Sequence, residues 1–418
     1  MYSLAPPLPL SLAPPLPLSL APSILIKKMN VLSIHNAYKI RGGEDESRQA
    51  EERLLRERGH HVEVYEEHND RVDTLSRFQV AAKTLWSREA YRDVTDRLIA
   101  RPCDVVHIQN FFPLISPSVH YAAKDLGIPV VQTLRNYRLL CPNGLFFRDG
   151  RVCEDCLGKA IPYPGVVHRC YRESRAASGM TATMLVVHRL LKTWKTRVNG
   201  FVTLTEFARQ KFIEGGFPGE NIHVKPNFVD PDPGMGSGSG GYAVFVGRLS
   251  VEKGLDTLLA AWEKLNGAIP LKIIGDGTLS SQVEAAIARI PNVTWLGRRP
   301  MTEVYDIIGE ARFLVFPSKW YETFGRVAVE AFAKGTPVIA ANIGAIAELV
   351  EDGRTGLHFQ PGNAEDLAAT VERAIAHPEL LRKMRPVVRR EYENKYTADA
   401  NYQRLMEIYE LARSNTVS

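Results

Sequence analysis

The chain has 418 residues, 45% hydrophobic and 24% charged, with a formal net charge of +5. That balance excludes a disordered or fibrous protein and leaves room for two or three domains with sizeable cores. Lys27 and Lys28 are the only charges in residues 1–28; setting them aside leaves +3, too little to imply a nucleic-acid partner.

Residues 1–28 read as a tail. Leu4-Ala5-Pro6-Pro7-Leu8-Pro9-Leu10-Ser11 recurs as Leu12 to Ser19, and a third copy begins at Leu20. Proline at this density interrupts helices, so the stretch makes a poor membrane span, and no basic segment precedes it as in a secretory signal. The expected biological start is Met29, with the repeat outside the native protein.

From Met29 onward an α/β pattern takes over. Val31 to His35 reads as a buried strand, followed by Gly42-Gly43, a helix from about Glu46 to Arg58, and a second strand from His61 to Tyr65. This is a βαβ unit whose glycine pair lets backbone amides approach a diphosphate, although an ordinary turn explains it equally well. Further strands are expected at 104–108, 129–133 and 201–204; their continuous apolar character fits a parallel sheet covered on both faces. Residues at or just beyond strand ends face a cleft in such sheets, which nominates His35, His107, Asn110, Arg135, Asn136 and Thr205. Thr205 doubles as an N-cap for the helix beginning near Glu206.

Cys141, Cys153, Cys156 and Cys170 fall within thirty residues and mark an insertion at about 141–170. The Cys-x-x-Cys pair can chelate one ion, with the outer cysteines or His168 completing a structural zinc site; buried reduced thiols are the alternative. Cys103 stands apart as a core residue. Residues 169–197 carry seven Lys or Arg against one acid. Met180, Met184, Val187, Leu191 and Trp194 share one helical face there. The stripe suits either burial in the core or docking on an anionic membrane.

Residues 231–241, rich in Gly, Ser and Pro, read as a flexible linker ending an N-terminal domain at 29–230. A second α/β domain is expected over 242–395, with strands at 242–246, 271–274, 293–296, 313–316, 337–340 and 356–359. A C-terminal helical segment at 396–418 is expected to pack back on the first domain. After the 242–246 strand comes Gly247-Arg248-Leu249-Ser250-Val251-Glu252-Lys253-Gly254, whose two cations flank a helix start and suit a diphosphate. Pro317 to Glu330 reads strand, loop, helix. Glu322 lies in the loop at the strand's C-terminal end and Glu330 one turn into the helix. Carboxylates accept hydroxyl hydrogen bonds and a helix start receives phosphate, so a nucleotide-sugar meets both demands.

The second half resembles the nucleotide-sugar domain of glycosyltransferase family 4, retaining enzymes built from two Rossmann-like domains facing a cleft, the GT-B fold. The resemblance rests on Gly247-Arg248-Leu249 through Lys253-Gly254, Glu322-x7-Glu330, Gly335-Thr336-Pro337-Val338 and, in the first half, Gly42-Gly43. It implies that Arg248 and Lys253 neutralise the departing diphosphate without a catalytic metal and that Glu322 holds the donor sugar. It further implies that Gly42, Gly43, Phe324, Gly325 and Arg326 line the donor site and that Glu330 accepts from the ribose. A UDP- or GDP-sugar donor, a saccharide or lipid-linked acceptor, a role in bacterial surface polysaccharide or glycolipid synthesis, and a cytoplasmic site at the inner membrane face follow as expectations. Two positions depart from the family pattern: Arg135 where relatives often carry histidine, and Phe228 where glycine is common. A nucleotide-sugar epimerase or a non-catalytic nucleotide-sugar binder are the alternatives on the same architecture; the retention of Arg248, Lys253 and Glu322 favours transfer.

Overall fold

The computed structural model describes residues 27–39 and 42–415. The proline-leucine repeat and the rest of the tail up to residue 26 lie outside them, as do the final three residues of the C-terminal segment.

The strands, in chain order, are β1 (Asn30–Ala37), β2 (His61–His68), β3 (Val105–Asn110), β4 (Val130–Thr133), β5 (Phe147–Arg148), β6 (Arg151–Val152), β7 (Gly200–Thr203) and β8 (Ile222–Val224). Beyond the glycine-rich stretch follow β9 (Ala243–Val246), β10 (Leu271–Ile274), β11 (Val293–Gly297), β12 (Phe313–Phe316), β13 (Val338–Ala341) and β14 (Gly356–Phe359). They form two parallel six-stranded sheets, ordered β2-β1-β3-β4-β7-β8 and β11-β10-β9-β12-β13-β14, plus the hairpin β5-β6 inside the cysteine-bearing insertion. The architecture is that of two doubly wound α/β domains.

The apolar runs follow from this layering. In β12, Phe313 and Val315 enter one core and Leu314 and Phe316 the core on the opposite face. In β4, Val130 and Val131 divide likewise. A strand covered on both faces cannot alternate with polar residues, and each fully buried large apolar side chain contributes about 1.5–3 kcal/mol.

The final helix, Ala398–Ser414, lies on the first domain, not the second. Leu405, Met406, Ile408 and Tyr409 share a core with Val31, Val105 and Val202, and Tyr402 Oη meets His60 Nε2 at 2.7 Å. The stretch at 231–241 does not hang free. The amides of Gly236, Gly238 and Gly240 donate to Lys334 O, Gly309 O and Glu310 O at 3.0, 2.9 and 2.9 Å. A Cβ on Gly236 would come within 2.3 Å of the Gly309 backbone. The small residues expected to give flexibility instead permit close apposition. The helix at 175–190 also departs from expectation. Met184 is buried, but the chain leaves the helix at Leu191, which is exposed, and passes through a left-handed Lys192 before Trp194.

Candidate active site

The strand order of the second sheet turns back between β9 and β12, so the loops after these two strands flank a crevice at their C-terminal ends. The loops are joined at backbone level. Gly254 has φ +70°, and a Cβ there would lie 1.8 Å from Pro317 O. Lys319 N donates to Glu252 O at 2.9 Å. Only glycine allows that approach. It brings Lys253 Nζ to 2.5 Å from Glu322 Oε1, which also accepts from Ser318 Oγ at 2.8 Å and Trp320 Nε1 at 2.9 Å. Glu322 is 7% exposed; three donors on one oxygen, one of them cationic, hold the carboxylate in a fixed orientation. Lys253 also lies 5.4 Å from the Trp320 ring centre. Arg248 stays at the mouth, 65% exposed, with Nη2 3.1 Å from Glu252.

Gly325, at φ +126°, opens the helix Arg326–Ala333. Phe324 is buried against Tyr396, so its side chain anchors this turn in the core. Arg326 Nε lies 2.9 Å from Glu330 Oε1, while its Nη1 donates to Glu46 Oε2 of the first domain at 2.5 Å. Burial raises the Glu330 pKa, opposed chiefly by the Arg326 charge. Directly across the cleft, a Cβ on Gly43 would meet Arg326 Cδ at 3.9 Å. The helix Gly43–Glu57 therefore starts at the glycine pair, a turn earlier than its sequence suggests, and aims its first amides at the cleft. Asp45 fixes that start, accepting from Gly42 N at 3.0 Å and meeting His35 Nε2 at 2.8 Å. Burial works against ionisation of Asp45, but His35 and the Gly42 amide hold its pKa below the usual range.

The remaining strand-end residues have structural partners. His107 is buried within β3, with Nδ1 2.7 Å from Tyr409 Oη and Nε2 2.8 Å from Thr133 Oγ1; burial lowers its pKa to about 4. Asn110 donates to Asn36 O at 2.7 Å and accepts from Phe112 N at 3.1 Å, shaping the next loop. Arg135 is buried, its Nε and Nη2 on Gln109 Oε1 at 3.0 and 2.7 Å and its Nη1 on Asn227 Oδ1 at 3.2 Å. Asn136 Nδ2 donates to Tyr38 Oη at 3.3 Å. Thr205 caps its helix through Ala208 N at 3.2 Å and donates to Thr323 O at 3.3 Å.

That last contact belongs to a set across the domains that sequence reasoning missed. Thr323 Oγ1 donates to Arg135 O at 2.9 Å, and Tyr137 Oη donates to Glu322 O at 3.3 Å. Glu348 accepts from Glu206 N and Phe207 N at 2.9 and 2.6 Å, so a second-domain carboxylate caps a first-domain helix. The loop carrying Glu322 is thus held from both sides of the cleft.

The four cysteines of the insertion are free thiols in one neighbourhood. Burial pushes the Cys156 thiol up to about 12, with added contributions from Cys141, Cys170 and Cys153; burial likewise raises Cys141 and Cys170. Cys141 Sγ turns to Asn143 Oδ1 at 3.0 Å and Cys156 Sγ to Pro162 O at 3.8 Å. Among the described residues no group of three or more His, Cys, Asp or Glu is placed to hold a metal ion.

Two family models match the chain, Glycosyltransferase Family 4 over residues 52–233 and Glycosyl transferases group 1 over residues 238–390. The chain belongs to glycosyltransferase family 4. The two matches divide inside the glycine-rich stretch and fall on one sheet each. An uncharacterized glycosyltransferase of Methanocaldococcus jannaschii is 32% identical over 186 residues, 44% of this chain and 52% of its own length, so the chain matches about half of that relative. An uncharacterized 42.6 kDa protein of the cps region of Klebsiella pneumoniae is 27% identical over 77% of this chain and 87% of its own. HepE of Anabaena, solved with UDP and glucose, superposes with a TM-score of 0.65 at 18% identity, covering 91% of this chain and 99% of that one. The family 4 assignment and the two-domain GT-B fold agree with the geometry of the β9 and β12 loops.

Proposed function

We propose that this family 4 member is a retaining glycosyltransferase that moves a sugar from a nucleotide-diphosphate donor to a saccharide or lipid-linked acceptor. The observation that carries the reading is the meeting of Lys253 and Glu322 at the crevice where the second sheet reverses its strand order. A cation and an oriented carboxylate side by side suit the junction between a diphosphate and a sugar: the ammonium offsets charge developing on the departing phosphate, and the carboxylate accepts sugar hydroxyls. Glu330, a turn into the neighbouring helix, suits ribose hydroxyls, while the start of that helix favours the diphosphate. Arg248, at the exposed mouth, has the reach to add a second positive charge as the donor enters.

No side chain in this crevice needs to act as a nucleophile. Glu322 Oε1 accepts from three donors, an arrangement that suits orientation, and the reaction in this reading has the acceptor hydroxyl attacking on the face from which the diphosphate leaves. Catalysis comes from positioning, fixed charge and exclusion of water between the two domains. No metal has a part in these steps. UDP in HepE and the cps-region origin of the Klebsiella relative favour a UDP-sugar donor and a role in surface polysaccharide assembly.

The test is a panel of UDP-, GDP- and ADP-sugars screened by ligand-detected magnetic resonance, followed by acceptor trials with the sugar that binds. Saturation transfer from one nucleotide class, lost in a Glu330→Ala variant, is expected. Failure of every nucleotide-sugar to bind the purified chain would sink the reading.

A further inference from the structure

The helix Arg175–Leu190 buries Thr181, Met184, Leu185 and His188 in the first domain. Along its outer flank runs the second half of the cysteine-bearing insertion. Arg189 Nη1 donates to Ala160 O at 3.0 Å, and a Cβ on Gly179 would lie 3.9 Å from Val166. From this packed pair project Ile161, Tyr163, Val167, Leu190 and Leu191, each more than half exposed. Tyr163 stands out between the buried Pro162 and Pro164, and Ile161 beside Pro162, so the chain here covers its prolines while all five larger apolar side chains face outward. Lys159, Arg169, Arg172, Arg175, Lys192 and Lys195 are exposed among them, and Glu173 is the one acid in residues 159–195.

We infer that this face docks on the surface of a bilayer carrying anionic headgroups. Aliphatic and tyrosyl side chains standing out singly among cations are the makeup of an interfacial binder: the apolar groups enter the headgroup boundary while Lys and Arg stay at phosphate depth. A protein partner is the weaker match, because lysine is depleted in protein interfaces and three of the six cations here are lysines. Among the described residues no helix is long and apolar enough to cross a membrane, so the attachment is peripheral and salt-sensitive. Of the Met180, Met184, Val187, Leu191 and Trp194 stripe that periodicity singles out, only Leu191 belongs to this face; Met184 and Trp194 are buried and Met180 and Val187 half-buried. The same insertion reaches the catalytic loop, where Phe146 meets Tyr321 edge-on with centroids 6.5 Å apart. A docked face therefore stands on the element that touches the Glu322 loop. The inference is independent of which donor the crevice takes.

The test is cosedimentation of the full chain with vesicles of equal phosphatidylcholine and phosphatidylglycerol, compared with phosphatidylcholine alone, at low and high salt. Binding to the anionic vesicles at low salt, and release as salt rises, are expected. Leu190→Ser with Leu191→Ser, and separately Lys192→Glu with Lys195→Glu, should each weaken binding on the order of tenfold or more. Hydrogen exchange on the unmodified chain gives a readout free of any folding defect: vesicles should protect 159–195. Retention of the chain in the supernatant at low salt, or protection confined to another region, overturns the inference. So does protection of 159–195 without lipid as protein concentration rises, which would mark a contact between copies.

Discussion

Lys253 donates to Glu322 Oε1 at 2.5 Å, across the point where the second sheet reverses its strand order. The pair couples two roles. A diphosphate drawn to Lys253 competes with Glu322 for the ammonium, and the carboxylate oxygen it releases becomes available to sugar hydroxyls, while Ser318 and Trp320 keep the carboxylate aimed. Lys253→Ala should therefore lower donor turnover by about 10²–10³-fold, the size of losing one preorganised charge donor. Glu322→Gln, which retains a side chain of the same shape, should keep nucleotide affinity within a few fold yet lose turnover. Steady-state kinetics with calorimetric nucleotide binding separates the two; turnover within twofold of the parent in Lys253→Ala would remove the charge role.

Two glycines near the site make opposite predictions. At Gly254 a Cβ would collide with Pro317 O, a backbone atom that cannot swing away, and the positive φ adds strain. Gly254→Ala should cost about 1–3 kcal/mol in urea unfolding and separate Lys253 from Glu322. At Gly43 a Cβ meets only the flexible Arg326 side chain at 3.9 Å, and the residue opens a helix. Gly43→Ala should leave stability unchanged or raise it by up to about 1 kcal/mol. If the glycine pair serves close approach of a phosphate, the same variant loses donor affinity while remaining folded.

The sheets and the β9 and β12 loops were legible because their signals are local: apolar runs of four or five residues and cations or carboxylates placed at strand ends. The contacts closing the cleft were not, since Glu348 and the amides it caps are over 140 residues apart and nothing in either segment names the other. Asp149-Gly150 shows a middle case. Both residues have positive φ, 52° and 75°, in a two-residue hairpin loop between β5 and β6. Asp-Gly is a strong signal for that turn, but the strands it joins are two residues long and too brief to register. Composition misled at 231–241, where glycine was read as freedom and serves proximity. At His107, strand position suggested the cleft. The closing helix, whose Tyr409 takes the imidazole, was placed on this domain without any indication of which residues it would meet.

Acid stability should hinge on the core beneath that helix. Lys225 Nζ donates to Glu51 Oε2 at 2.6 Å with both side chains almost fully buried, and to Asn401 of the closing helix at 3.3 Å. Burial alone would raise the Glu51 pKa, yet Lys225, then His107 and Arg135, bring it down to about 2. Its ordinary value is about 4.3. A carboxylate depressed in the folded state stabilises above the unfolded value and loses that contribution as pH falls toward the folded one. Urea unfolding from pH 5 downward should thus show stability declining between about 4.3 and 2. Glu51→Gln should flatten that decline and, by leaving Lys225 buried without its counter-charge, cost about 3–5 kcal/mol at neutral pH. An acid slope unchanged by the substitution would mean the carboxylate is not what titrates.

Arg326 is the side chain on which cleft closure and the second carboxylate converge. It faces Glu330 within its own helix at 2.9 Å and reaches Glu46 on the opposite domain at 2.5 Å. The planar guanidinium serves both through different nitrogens, a geometry that an ammonium cannot reproduce. Arg326→Lys should therefore behave nearly as badly as Arg326→Ala, raising the donor KM and widening the particle in solution scattering. Glu46→Gln removes only the interdomain half, so it should widen the particle while affecting Glu330 little. A double-mutant cycle between Arg326 and Glu46 should return a coupling of about 0.5–3 kcal/mol in donor affinity. Zero coupling would place closure in the Thr323 and Glu348 contacts instead, and leave Arg326 with the single task of neutralising Glu330.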